Sequence, residues 1–242
     1  EYGMRLQSIG PKLHTIYCSA NTSTPFIYDI AKREGYITLF SEEFCYTGSP
    51  WVLQDNIFTV EADIMPHKIF CRLASHINPN INKNDLFKVA VESSAKYPCL
   101  SQSGFTGVEK QKVGLELVKE MWDAYTDIPK LAYLNAISAH SYDPDWSRTA
   151  LGAEAYDVHF SQFLSDMLHH DDANNTILIV RSDHGFQGSD TATIDFSTQV
   201  EHRHPWTEII VPNHFPIDRL ILNSAKTVTS FDLYKTIVSL IP

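Results

Sequence analysis

Ser182-Asp183-His184-Gly185 puts two metal-binding side chains, a carboxylate and an imidazole, at adjacent positions. The carboxylate offers a hard oxygen and the imidazole a nitrogen, a pair suited to one divalent cation. The glycine that follows lets the backbone turn away, so that both side chains can face a common cleft. A plainer reading of the same residues is a strand-end turn with a capping aspartate and a surface histidine. Position favours the metal reading, because an apolar run at 176–180 (TILIV) leads directly into them. Such a run reads as a strand buried on both faces in the middle of a parallel sheet. Open parallel sheets bind ligands beyond the carboxyl ends of their strands, where Asp183 and His184 fall.

Other residues could join this chemistry. His140 follows a second apolar strand at 131–137 (LAYLNAI), in the stretch Ser138-Ala139-His140-Ser141. His202 and His204 flank Arg203; they could neutralise an anionic substrate or complete a metal shell, or they are solvated loop residues. Glu201 reads as structural, binding backbone amides or Arg203. His169-His170-Asp171-Asp172 has metal-binding residue types but closes a helix before a turn. It is read as compensation of the helix dipole followed by a solvated loop.

These residues need a scaffold, and the patterning predicts a layered sheet flanked by helices. A strand is expected over 12–18 and a helix after Ser23 or Thr24, with Pro25 in its first position and Gly35 past its end. The β-branched and aromatic run at 36–40 follows as a strand. Val113, Leu117, Met121 and Trp122 place an amphipathic helix over 109–125, and Tyr156, Phe160, Phe163, Leu164 and Met167 place another over 153–168. Strands are expected at 208–211 and 219–222, and a helix over 230–240. Residues 41–108 read as an insertion or lid, with a short helix at 67–75.

The chain has 242 residues, enough for one large domain. Its formal net charge of −10 argues against a nucleic-acid partner, which needs clustered Lys and Arg. A small anionic substrate stays compatible with that charge, since a bound cation inverts the local field. The four cysteines, Cys18, Cys45, Cys71 and Cys99, form no CxxC pair, which disfavours a structural zinc site. Sequons stand at Asn21 and Asn174. No apolar run is long enough for a membrane span, and the start at Glu1 has no targeting region.

Several segments, in order, resemble the alkaline phosphatase and sulfatase superfamily. They are 26–40 around Gly35-Tyr36-Ile37-Thr38, 153–164 (AEAYDVHFSQFL), 175–185 (NTILIVRSDHG), Glu201 to Trp206 followed by Ile209-Ile210-Val211-Pro212, and 229–236 (TSFDLYKT). The chain is most similar to that superfamily's poorly characterised eukaryotic sulfatase-like branch. The resemblance implies an α/β three-layer sandwich with a largely parallel central sheet, spanning 1–242 as one domain. It implies hydrolysis of a sulfate or phosphate ester, with Asp183 and His184 holding a divalent metal (Ca, Mg, Mn or Zn). His140 would bind a metal or contact the transferred group and leaving oxygen, and His202 and Arg203 would bind substrate. Two-metal relatives carry an Asp shortly before that histidine, whereas this chain has Asn135, Ala136 and Ile137. Cys18, in Cys18-Ser19-Ala20-Asn21, lacks the Pro and Arg of the sulfatase modification motif. No nucleophile is therefore assigned in this chain, and one is expected upstream of Glu1, which makes the chain N-terminally truncated. The substrate would be a small anionic ester or a sulfated or phosphorylated glycan, and the location secretory or membrane-anchored through regions outside this chain. The alternative is a non-catalytic sulfatase-like domain that binds a glycan or other anion.

Overall fold

The computed structural model describes residues 5–8, 14–17, 25–42, 62–65, 110–136, 146–185 and 196–242. Strands β1 (Arg5–Ser8) and β2 (His14–Tyr17) pair antiparallel. Helix α1 (Ile27–Arg33) leads into β3 (Ile37–Glu42), and helix α2 (Lys110–Ala124) into β4 (Lys130–Asn135). Helix α3 (Trp146–Leu168) and a 3-10 turn (Ala173–Asn175) precede β5 (Leu178–Arg181). Helix α4 (Phe196–Arg203), β6 (Thr207–Ile210), α5 (Asp218–Ser224) and α6 (Ser230–Leu240) complete the order. The chain is therefore a mixed α/β structure. Its described strands form three pairs: β1–β2 and β5–β6 antiparallel, and β3–β4 parallel.

The β3–β4 pair is the centre, because alternate residues of a strand face opposite sides. On one side Leu39 is fully buried and joins Val118, Met121 and Trp122 of α2 and Met167 of α3, with Ile37 packed against them. On the other side Phe40 packs with Tyr28 of α1 and Ala62. Tyr28 meets Phe40 edge-on at 6.1 Å, and its hydroxyl donates to the Leu39 carbonyl at 3.2 Å. Burial, with the nearby Tyr133 phenol, pushes the Tyr28 hydroxyl far up, so it stays a donor. Gly114 on α2 allows close approach to the sheet: a Cβ there would lie 3.2 Å from Ser41 Oγ and 3.3 Å from Leu134 Cδ2.

Part of the expected insertion belongs to this sheet. Ile64 forms a parallel bridge with Leu39 on the β3 edge away from β4. Asp63 fixes it: one carboxylate oxygen accepts from the Thr38 amide at 2.9 Å and the Thr38 hydroxyl at 2.7 Å, and the other lies 3.1 Å from Lys32 Nζ. Partial burial alone would raise the Asp63 carboxyl, but the Thr38 hydrogen bonds and the Lys32 ammonium outweigh it and hold it below its ordinary value. Thr38 is fully buried, so Asp63→Ala leaves buried donors unpaired, at about 1–3 kcal/mol each. The Asp63 contribution is complete above the unfolded carboxyl value of about 3.9 and is lost as pH falls through the lower folded one. Urea melts of wild type and Asp63→Ala should therefore differ at pH 7 and converge towards pH 3. A gap unchanged over that range would contradict the role given to the carboxylate.

The other core seam joins the helices to β5. Lys130 Nζ, its side chain only 4% exposed, lies 3.1 Å from Asp172 and 5.6 Å from the Trp122 ring centre, and donates to the Tyr125 and Ile128 carbonyls. Trp122 Nε1 donates to Thr176 Oγ1 at 3.0 Å, and Leu178 of β5 packs on the Leu39 cluster. His170 Nε2 meets Asp123 at 3.0 Å while its Nδ1 accepts from the Asp172 amide. Both ring nitrogens of His170 are thus engaged, and Asp172 is tied to Lys130, so these two residues are part of the packing and not the solvated loop expected from the sequence.

Several expectations need correction. The helix expected from Pro25 begins at Ile27 behind Phe26, which caps without a side-chain bond. Gly35 stands past its end with φ of 81°, as its position predicts. Residues 219–222 lie in helix α5, not a strand. A three-residue apolar run, Leu220-Ile221-Leu222, cannot by itself distinguish the two, and Asp218 at the helix start was the informative signal. The final helix is capped by Thr229, which forms a reciprocal capping box with Asp232, and Ser230 is its first residue. β5 pairs antiparallel with β6 and is half-buried, where a fully buried parallel strand was expected. Apolar content reports burial, but strand direction depends on the connection that follows. The expected short helix at 67–75 lies outside the described residues.

Candidate functional site

Residues 182–185 leave β5 at its carboxyl end and turn towards the end of α4. Ser182 continues the β5–β6 pairing: its amide donates to the Trp206 carbonyl, and its Oγ accepts from the Trp206 amide, each at 2.9 Å. The Gly185 amide donates to the His202 carbonyl at 3.3 Å. The loop is thus held at both ends, to the start of β6 and to the last turn of α4.

Between those anchors the two side chains converge. Asp183 Oδ1 accepts from the His184 amide at 2.8 Å, while Oδ2 stands 3.4 Å from His184 Nε2. His184 Nδ1 lies 2.7 Å from the Gly185 carbonyl oxygen. A carbonyl only accepts, so Nδ1 carries the hydrogen, and in the neutral ring the lone pair is left on Nε2. That nitrogen faces the free oxygen of Asp183. The Asp183 side chain is 84% exposed and that of His184 36%, so both are open to solvent.

His202 joins them. Its Nδ1 lies 3.2 Å from the same Gly185 carbonyl, and its ring centre is 5.0 Å from that of His184. Both imidazoles therefore donate to one carbonyl oxygen, which has two lone pairs to receive them. A backbone carbonyl that fixes tautomer and ring orientation is the usual outer partner of a metal-binding histidine.

The donor set fits a divalent cation. One ion has ligands at about 2.0–2.2 Å, so two donor atoms 3.4 Å apart can share it. Among the described residues no cluster of three or more His, Cys, Asp or Glu side chains is formed. Asp183 and His184 are thus the pair brought together, with His202 beside them. Arg203, the last residue of α4, is exposed, as is His204; basic groups there also suit the helix's negative end. His140 lies outside the described residues.

The sequence reading missed α4, which carries His202 and was taken as loop. Its signals were the basic residues of its last turn and Pro205 just beyond. The Gly185 carbonyl had no signal, since a backbone acceptor becomes visible only in three dimensions. A small apolar cleft of about 30 Å³, lined in part by Met167, Leu178, Ile210 and Pro212, lies at the other end of the β5–β6 pair.

A family model described as a protein of unknown function (DUF229) matches residues 86–242, which include the whole of this site. No curated protein and no solved structure matches the chain.

Proposed function

The chain belongs to the DUF229 family, and from that premise we propose that it carries the metal-holding part of a hydrolase of sulfate or phosphate esters, of the alkaline phosphatase and sulfatase type. The observation that carries the reading is the position of His184 Nε2, 3.4 Å from Asp183 Oδ2 with its tautomer fixed by the Gly185 carbonyl. The parallel β3–β4 pair, with α1 on one face and α2 on the other, supports a layered sheet of the expected three-layer kind.

In this reading Asp183 and His184 hold one divalent ion, which would stabilise negative charge on the transferred group and lower the nucleophile's pKa. The Gly185 carbonyl orients both His184 and His202, and His202, with Arg203, presents positive or donor groups to an anionic ester. His140 is assigned, from sequence, the donation of a proton to the leaving oxygen. The substrate class is a small anionic ester or a sulfated or phosphorylated glycan.

The test is turnover of an aryl sulfate and an aryl phosphate by the full-length protein, with metal added and with metal chelated. Metal-dependent turnover that Asp183→Ala abolishes is the expected result. Metal binding without turnover of either ester would instead favour a sulfatase-like domain that binds a glycan or another anion. Turnover indifferent to both chelation and Asp183→Ala would refute the assignment of this loop.

A further inference from the structure

We infer that Asn174 is an acceptor site for N-linked carbohydrate. Asn174-Asn175-Thr176 is an N-x-T sequon with no proline in the middle. It occupies the 3-10 turn between α3 and β5, and Asn174 is exposed. The three residues divide their work. Asn175 Nδ2 donates to the Asp172 carboxylate at 3.2 Å. The Thr176 hydroxyl donates to the Asp172 carbonyl at 2.9 Å and accepts from Trp122 Nε1 at 3.0 Å. Asn174 is exposed and has no side-chain hydrogen bond among the described residues, so a sugar on its Nδ2 displaces no contact among them.

The Thr176 hydroxyl belongs to the recognition pattern, yet the folded chain uses it between α2 and the turn. Attachment is therefore expected on the nascent chain, before α2 docks. In the transfer, Asn174 Nδ2 bonds to the anomeric carbon of an oligosaccharide carried as a polyprenyl pyrophosphate. The bond from that carbon to the pyrophosphate oxygen breaks, the lipid pyrophosphate leaves with the bonding pair, and one amide proton is released.

Asn174 precedes the amino end of β5, whereas Asp183 follows its carboxyl end. The strand's four residues span about 13 Å, so the acceptor nitrogen and the Asp183–His184 loop stand at opposite ends of β5 and share no residue. The site is thus independent of the proposed hydrolase.

The test is translation of the full chain behind a secretory leader into microsomes, followed by endoglycosidase digestion, for wild type, Asn174→Gln and Asn21→Gln. Asn174→Gln should carry one endoglycosidase-sensitive glycan fewer than wild type, and Asn21→Gln should keep the glycan at Asn174. Digestion with a peptide N-glycosidase in heavy-oxygen water, which hydrolyses the sugar-bearing side-chain amide to an aspartate carrying one heavy oxygen, should mark Asn174 as the deglycosylated residue. An Asn174→Gln chain with the wild-type number of glycans, or a wild-type chain with none, would overturn the inference. Neither outcome bears on metal binding, which Asn174→Gln is expected to retain.

Discussion

Asp183→Ala and His184→Ala should each weaken the binding of a divalent metal by about 100-fold or more, with His202→Ala costing less than either. The ranking follows from the geometry of the loop. Asp183 Oδ2 and His184 Nε2 are the two donors that face each other across 3.4 Å, so losing either leaves a single ligand. His202 acts one step away: its ring lies 5.0 Å from that of His184 and shares the Gly185 carbonyl, so its loss removes a ring contact while His184 keeps its own bond to that oxygen. Calorimetric titration of the three variants with Zn, Mn, Mg and Ca checks this order. If His202→Ala proved the most damaging, His202 would itself be a ligand and the assigned pair would be wrong.

The largest stability effect is expected at Leu39. This residue is fully buried where β3 meets α2 and α3, packed with Met121, Trp122 and Met167. Leu39→Ala removes its buried methyl groups and leaves a cavity that three elements would have to collapse to fill, at about 2–5 kcal/mol. For a chain of this size each kcal/mol moves the melting temperature by about 2–4 °C, so a fall of roughly 4–20 °C follows. Leu222, on exposed α5 at 68% accessibility, makes the control: Leu222→Ala should stay within about 0.5 kcal/mol of wild type. Thermal melts followed by circular dichroism measure both, and a Leu39→Ala loss no larger than that of Leu222→Ala would contradict the position of the core.

Much of this arrangement was legible in the sequence, and the reasons differ from place to place. The amphipathic spacing of Val113, Leu117 and Met121 located α2 to within a residue at each end, because a buried face imposes its period on the sequence. Gly35 marked the end of α1 because the backbone there has positive φ, which glycine adopts without strain. The approach of the Asp183 and His184 side chains was legible because it is local: they are adjacent residues at a strand end. His202 was named, but its partnership was not legible, since it arises from α4 ending beside the loop, seventeen residues from the carbonyl it shares. The antiparallel pairing of β5 was misread for a similar reason, as an apolar run records burial and carries no direction. Residues 62–65 were assigned to an insertion because four residues carry too little pattern to show a bridge to β3, which Asp63 secures through Thr38.

Metal content and metal-dependent thermal stability of the purified chain, beside the Asp183→Ala/His184→Ala double variant, test the central claim most directly. A folded-state ligand present at one hundred times its dissociation constant adds about 2.7 kcal/mol, or roughly 5–11 °C in melting temperature for a chain of this size. The wild-type protein is expected to retain a divalent metal and to lose that increment on chelation, while the double variant holds no metal and melts at one temperature with or without chelator. Equal metal content and equal chelator response in the two proteins would show that residues 183 and 184 do not form a metal site, and the proposed hydrolase would fall with it.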